Sequence, residues 1–158
     1  MKDFVNVGLL GAGTVGGGVL KVLEKNAEKI AKEVGKPVRI TKVLDRHVDR
    51  LKQEYGDKYI FTDNADEVLE DKDIDIIVEL LGREHPAKEF IARAFANGKH
   101  VVTANKDVLA KFGSELFPLA HEHNCDFMFE ASVCGGIPII GPLKTSMAAN
   151  QITSIMGI

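Results

Sequence analysis

The sequence predicts a single α/β domain built on a parallel sheet wound in both directions, and three observations predict it. Nearly continuous apolar, β-branched runs alternate with helical patterns along the whole chain. The first of these runs passes directly into the glycine-rich stretch "GAGTVGGG" and then into a helical pattern. No repeat, low-complexity segment or linker interrupts the 158 residues, a length that fits one domain.

Strands are expected at Val5–Leu10, Val38–Leu44, 74–80, His100–Thr103 and 126–130, with a short one at 59–61 and another at 152–156. Most read as unbroken apolar runs, the signature of strands covered on both faces. A long helix is expected over about 15–34. A second covers 64–70, where Asn64 and Glu67 have capping-box spacing. A third covers 86–97, with Pro86 in its first turn and Gly98 as a stop. Two more follow at 106–111 and 114–123, separated by Gly113. Right-handed crossovers would join these units into one parallel sheet.

Composition excludes several function classes. Hydrophobic residues make up 45% and charged residues 27%, the balance of a globular chain, and the formal net charge is -3. No basic stretch interleaves with aromatics, so nucleic acid is not an expected partner. No apolar run approaches bilayer length, so neither is a membrane. The opening "MKDFVNVGLLGAG" enters a strand pattern at once and leaves no room for a signal peptide. The two cysteines, Cys125 and Cys134, form neither a disulfide framework nor a metal-ligand cluster, and a reducing cytoplasm is the expected setting.

The glycine stretch carries the first chemistry. Gly11, Gly13 and Gly16 form G-x-G-x-x-G directly after a strand and before a helix, the context that makes this pattern specific and the domain Rossmann-type. Gly11 permits the tight turn, Gly13 admits a pyrophosphate to the backbone, and Gly16 lets helix and sheet pack closely. The amides of residues 12–15 would face phosphate at a helix N-terminus. Gly17 and Gly18 follow inside the helix, where each costs about 1 kcal/mol relative to Ala, so a bare backbone is expected to be needed there as well.

An acid should end the second strand and bind the adenosine ribose. Asp45 stands there, roughly thirty residues past the loop rather than about twenty. It would accept from the ribose hydroxyls and repel a 2′-phosphate, whereas its neighbour Arg46 would attract that phosphate. The two signals oppose each other; NAD is weakly favoured, with NADP use open.

Ligands of open parallel sheets bind at the carboxyl ends of the strands. Lys106, just past the strand at His100–Thr103, therefore lies on the right edge. A cation there could hold a carboxylate or polarise a carbonyl oxygen. From spacing alone, an ordinary lysine opening a helix explains it equally well.

Two later motifs are more specific than the glycine loop. "TANK" at 103–106 and "EASVCGGIPII" at 130–140 resemble homoserine dehydrogenase, and "GLLGAGTVGGGV" and "VELLG" at 78–82 fit the same family. The resemblance covers essentially the whole chain. It implies the reversible conversion of L-homoserine to L-aspartate 4-semialdehyde with NAD or NADP, on the route to threonine, methionine and isoleucine, by an enzyme that is a homo-oligomer at full length. By position, it places Thr14 and Val15 on the cofactor phosphates, Arg46 where NADP preference is tuned, and Thr103 and Ala104 near the nicotinamide. Lys106 corresponds to the family's active-site lysine, close to cofactor and substrate. Glu130 resembles the side-chain ligand of a monovalent cation, sodium favoured, with the carbonyls of Val133, Gly135 and Ile137 completing the set. A carboxylate capping the next helix is the competing reading of Glu130.

The chain departs from the pattern at Arg83, where a second glycine is common, and at Asp45, where an apolar residue is frequent. Residues 1–150 are expected to form the dinucleotide-binding domain, and 151–158 to begin a strand leading into the family's long substrate and dimerisation domain. That domain carries a second catalytic lysine and the acids that grip the amino acid, so this chain alone is expected to bind dinucleotide with little or no turnover. Another amino-acid-pathway dehydrogenase, or a dinucleotide sensor without catalysis, is the alternative.

Overall fold

A computed structural model describes residues 2–157. Six strands, β1 (Val5–Leu10), β2 (Val38–Leu44), β3 (Ile60–Thr62), β4 (Ile76–Glu79), β5 (His100–Thr103) and β6 (Phe127–Met128), form one sheet in the order β3-β2-β1-β4-β5-β6. Every pairing is parallel. The chain thus winds one way from β1 to β3, returns to the middle, and winds the other way from β4 to β6. The gap between β1 and β4 is the switch point where such sheets take ligands.

The helices are α1 (Thr14–Lys25), α2 (Ala27–Val34), α3 (Val48–Tyr55), α4 (Asp66–Leu69), α5 (Ala87–Ala96), α6 (Lys106–Glu122) and α7 (Ile140–Lys144). Side chains alternate between the faces of β1: Val7 and Leu9 pack with Leu20 of α1 and Leu51 of α3, whereas Leu10 joins Ile91 and Phe95 of α5 and Leu116 of α6. Leu9, Leu20, Ile91 and Phe95 are wholly buried, each worth about 1.5–3 kcal/mol over an exposed position. Two cores therefore clamp the sheet and hold its carboxyl edge rigid.

Several boundaries differ from expectation, each for a physical reason. The helix expected over 15–34 is two helices, because Asn26 (φ -115°, ψ 18°) leaves the helical path and its side-chain amide donates back to the Val22 carbonyl. The helices expected at 106–111 and 114–123 are one, α6, because Gly113 is buried in the helix, where packing outweighs its low propensity. Helix α3, which follows β2, escaped the pattern because it buries only Leu51 fully among polar residues. The expected capping box at 64–70 is a ladder of short bonds: Thr62 Oγ1 accepts from the Asn64 amide, and Asn64 Oδ1 from the Asp66 amide, ahead of the single-turn α4. Pro86 precedes α5 instead of lying inside it. No strand forms at 152–156, where Ile155 and Met156 are 76% and 93% exposed, since a strand needs a paired neighbour and none of the described residues supplies one.

Candidate cofactor site

Register builds the site. Leu10 of β1 stands beside Leu44 of β2 on one side and Glu79 of β4 on the other, and Glu79 stands beside Thr103 of β5. The turns after these four strands consequently leave the sheet at one level. With neighbouring strands 4.7–4.9 Å apart, the glycine turn and the "TANK" turn are roughly 10 Å apart.

The glycine turn is shaped by its surroundings. Gly11 has φ +92°, and a Cβ there would lie 2.9 Å from the Leu80 carbonyl oxygen. A Cβ on Gly16 would lie 2.0 Å from the Gly11 carbonyl oxygen, an impossible approach. A Cβ on Gly13 would meet nothing within 4 Å; it would project into open space at the first turn of α1, where a phosphate has to come. Gly13, Thr14 and Val15 are exposed, and first-turn amides have no acceptor within the helix. The residues fit a pyrophosphate. Nothing in the protein itself requires Gly17 and Gly18 to be bare: a Cβ on Gly17 would make only an ordinary 3.6 Å contact with Tyr55 Oη, and one on Gly18 none, which leaves the ligand as the source of any such demand.

Asp45 reaches this turn directly. Its Oδ2 accepts from the Ala12 amide and its Oδ1 from the His47 amide, both at 2.9 Å. The carboxylate therefore anchors the glycine turn to the end of β2, and each oxygen keeps acceptor capacity for a ribose hydroxyl. Beside it, a cleft of about 350 Å³ has walls of Leu44, Ala65, Leu81 and Phe90, with Asp45, Arg46 and Arg83 at its rim. Its apolar side chains suit a purine, and its two guanidiniums suit an added phosphate.

On the other side of the glycine turn, Val15, Leu80, Gly82, Ala104 and Asn105 line a small hollow of about 100 Å³. The hollow brings together Val15 and Ala104, two expected site residues almost ninety positions apart. Thr103 is 1% exposed, and its hydroxyl lies 2.6 Å from Glu79 Oε2, so its side chain faces the interior and not the hollow. Asn105 caps α6 by accepting from the Val108 amide at 3.2 Å. Lys106 is thereby the first residue of α6 and is exposed. A cation at a helix N-terminus opposes the helix dipole. Among the described residues Lys106 enters no salt bridge, while Lys88 pairs with Glu115 and Lys111 with Glu84.

Glu79 is the residue that pattern reading missed. It is wholly buried, and it accepts from the Leu81 amide at 2.7 Å as well as from Thr103. The available signal was an acid set inside the apolar run "IIVELL", on the same face as the buried Ile77.

Glu130 opens a turn of 3-10 helix, Glu130–Ser132, beyond β6, where the expected strand 126–130 has already ended. Its carboxylate accepts from the amides of Ile139, Ile140 and Gly141 at 2.5–2.8 Å and so caps α7. The Gly141 and Ile139 amides hold the carboxyl below the ordinary carboxylate range. The carbonyls of Val133, Gly135 and Ile137 belong to the exposed turn that follows, in which Cys134 and Gly135 both have positive φ.

Comparison with known proteins agrees with this geometry. A family model described as "Homoserine dehydrogenase, NAD binding domain" matches residues 11–130. The homoserine dehydrogenase of Neisseria gonorrhoeae is 47% identical over 98% of this chain, which spans 35% of that protein. The crystal structure of a homoserine dehydrogenase from Thiobacillus denitrificans superposes with a TM-score of 0.88 at 46% identity, over 93% of this chain and 34% of that one. A hyperthermophilic archaeal homoserine dehydrogenase solved in complex with NADPH superposes with a TM-score of 0.73 at 27% identity, over 89% of this chain and 48% of that one. The chain thus spans about a third of the length of the curated relatives it matches.

Proposed function

Since the chain belongs to the homoserine dehydrogenase NAD-binding domain family, we propose that it seats NADP or NAD along the carboxyl edge of its sheet and serves the interconversion of L-homoserine and L-aspartate 4-semialdehyde. The carrying observation is the switch-point geometry: a turn in which Gly11 and Gly16 admit no side chain, beside a hollow shared by Val15 and Ala104.

In this reading the first-turn amides of α1 and the dipole of that helix hold the pyrophosphate. Asp45 takes the adenosine ribose while anchoring Ala12. Arg46 and Arg83 at the rim of the cleft make room for a 2′-phosphate, which shifts the weak preference for NAD towards dual use. The bound dinucleotide would supply hydride exchange with a carbinol carbon. Ala104, held in the turn after β5, borders the place for the nicotinamide. Lys106, in no salt bridge among the described residues and set against its helix dipole, offers a positive charge to the oxygen that becomes an alkoxide as a base takes the hydroxyl proton. Residues that grip the amino acid, the homo-oligomeric contact and a cytoplasmic setting belong to the same proposal. The two free cysteines, one of them exposed, accord with a reducing compartment.

A monovalent cation at Glu130 also belongs to it. The irregular turn of Val133, Gly135 and Ile137 offers carbonyl oxygens to a hard cation. The carboxylate already caps α7, so it would join the set mainly through Oε2, which takes a single amide. A rise in thermal midpoint with sodium chloride over choline chloride is expected; equal midpoints remove the ion.

Calorimetric titration of this chain with NADP and NAD tests the whole reading. Binding of at least one is expected, with little homoserine-dependent reduction. No binding of either at saturating concentration sinks the proposal, and full-rate homoserine oxidation by this chain alone sinks its division of labour.

A further inference from the structure

We propose that Glu79 is a positioning residue for the nicotinamide side of the site, fixing Ala104 and the start of α6 opposite the glycine turn. This rests on the dinucleotide reading above and deepens it.

Burying a carboxylate without a cationic partner is expensive unless each oxygen is satisfied. Glu79 is wholly buried, and its donors come from the last residue of β5 and from the turns that follow β4 and β5. Leu81 donates its amide to Oε1 at 2.7 Å, and Thr103 donates its hydroxyl to Oε2 at 2.6 Å. The Thr103 oxygen in turn accepts the Asn105 amide at 2.9 Å. The Asn105 side-chain amide approaches Oε1 at 3.5 Å and donates to the Arg83 carbonyl at 2.8 Å, while its oxygen caps α6. One continuous path therefore runs from the carboxylate through Thr103 and Asn105 to the helix that begins with Lys106.

The sheet ladder already holds β4 to β5 as far as Glu79 and Thr103. Beyond those residues no ladder exists, and the carboxylate takes over. Ala104 stands between two residues fixed by this network and lines the hollow beside Val15. Glu79 is not among the residues lining that hollow; it acts through its neighbours.

An amide cannot replace the carboxylate. In Glu79→Gln the new NH₂ must face either the Leu81 amide, a donor against a donor, or the Thr103 oxygen. In the second case the Thr103 hydroxyl proton loses its buried acceptor. Either way the turn after β5 loosens, while the glycine turn and Asp45, on the far side of β1, keep their bonds.

The test compares ADP-ribose, which lacks the nicotinamide, with NADH and NADPH. Wild-type chain is expected to bind NADH or NADPH more tightly than ADP-ribose and to change the fluorescence of the reduced nicotinamide. In Glu79→Gln, ADP-ribose affinity should stay within about twofold, while affinity for the reduced dinucleotide falls about tenfold and the fluorescence change shrinks, as expected for one lost buried hydrogen bond to a charged group. Equal losses for both ligands would mean general damage and overturn the proposal, as would unchanged affinities. If Glu79→Gln does not fold by circular dichroism, Asn105→Ala decides, because it cuts the path while leaving Leu81 and Thr103 on the carboxylate; the same selective loss is expected, and its absence overturns the proposal. A wild-type chain that binds ADP-ribose but gains nothing from the nicotinamide overturns the positioning role alone. A wild-type chain that binds none of the three brings down the dinucleotide reading beneath it.

Discussion

Two glycine turns leave this sheet, and they are glycine-rich for different reasons. After β1, Gly11 and Gly16 are boxed in by backbone: added Cβ atoms would lie 2.9 Å from the Leu80 oxygen and 2.0 Å from the Gly11 oxygen. After β6, added Cβ atoms on Gly135 and Gly136 would meet nothing within 4 Å. Only the torsion of Gly135, φ +57°, calls for glycine there, and Cys134 adopts nearly the same torsion with a side chain. The first turn is specified by what packs around it, and the second by local shape. Identical letters thus report tertiary constraint in one place and conformational convenience in the other. A turn of the first kind arrives preorganised for a ligand, whereas one of the second kind can yield.

Gly16→Ala should break the first turn outright. The clash is with backbone, so relief requires moving α1 away from β1. A loss of about 3 kcal/mol or more is expected, seen as a fall in melting midpoint of about 6–12 °C, together with loss of dinucleotide binding. A variant that melts like the wild type would show that the turn is not boxed in.

Gly135→Ala should cost less, about 1–2 kcal/mol for a side chain placed in the left-handed region, and Gly136→Ala should stay within about 0.5 kcal/mol. The Gly135 loss should appear as faster hydrogen exchange in 130–145, with ligand affinity at the first turn unchanged. Equal effects of Gly135→Ala and Gly136→Ala would contradict a purely torsional demand.

Gly18→Ala sharpens the comparison from the other side. Gly18 belongs to the same glycine run as Gly16, yet a Cβ there meets nothing, and its place inside α1 disfavours glycine. Stabilisation of about 0.5–1 kcal/mol is expected, with cofactor affinity intact. Weakened NADP or NAD binding in this variant would mean that the ligand itself needs that bare backbone.

Most of the fold was legible because a parallel sheet covered on both faces writes itself as apolar runs, and the glycine motif marks where the first one ends. What pattern could not reveal was set by neighbours distant in sequence. Gly113 reads as a break, but burial carries α6 through it. The run 152–156 reads as a strand, but strand formation is settled by a partner and not by composition. In the site, Gly11, Gly13, Gly16, Asp45 and Lys106 were visible as types at strand ends. Glu79 was not, because an acid at the end of a strand looks like the first solvated residue until the register places it between Leu10 and Thr103. At Glu130 the sequence left a helix cap and an ion ligand as competing readings; three amides engage its carboxylate, which makes the cap visible.

That carboxylate gives the smallest effect and the most local one. The Gly141 and Ile139 amides lower its pKa in the folded chain below the ordinary 4.5. A group whose folded pKa is depressed contributes its full stability above the unfolded value and loses it as pH falls through the folded one. The cap on α7 should therefore be complete at neutral pH and still formed at pH 4.5, and should fail only in more acidic solution. The amide resonances of Ile139, Ile140 and Gly141 should titrate together with a midpoint below 4.5, while that of Gly11 on the other turn, whose amide donates to the Leu44 carbonyl, does not follow them. A shared midpoint for both turns would mean that they open as one unit, and the division between a boxed-in turn and a yielding one would be lost.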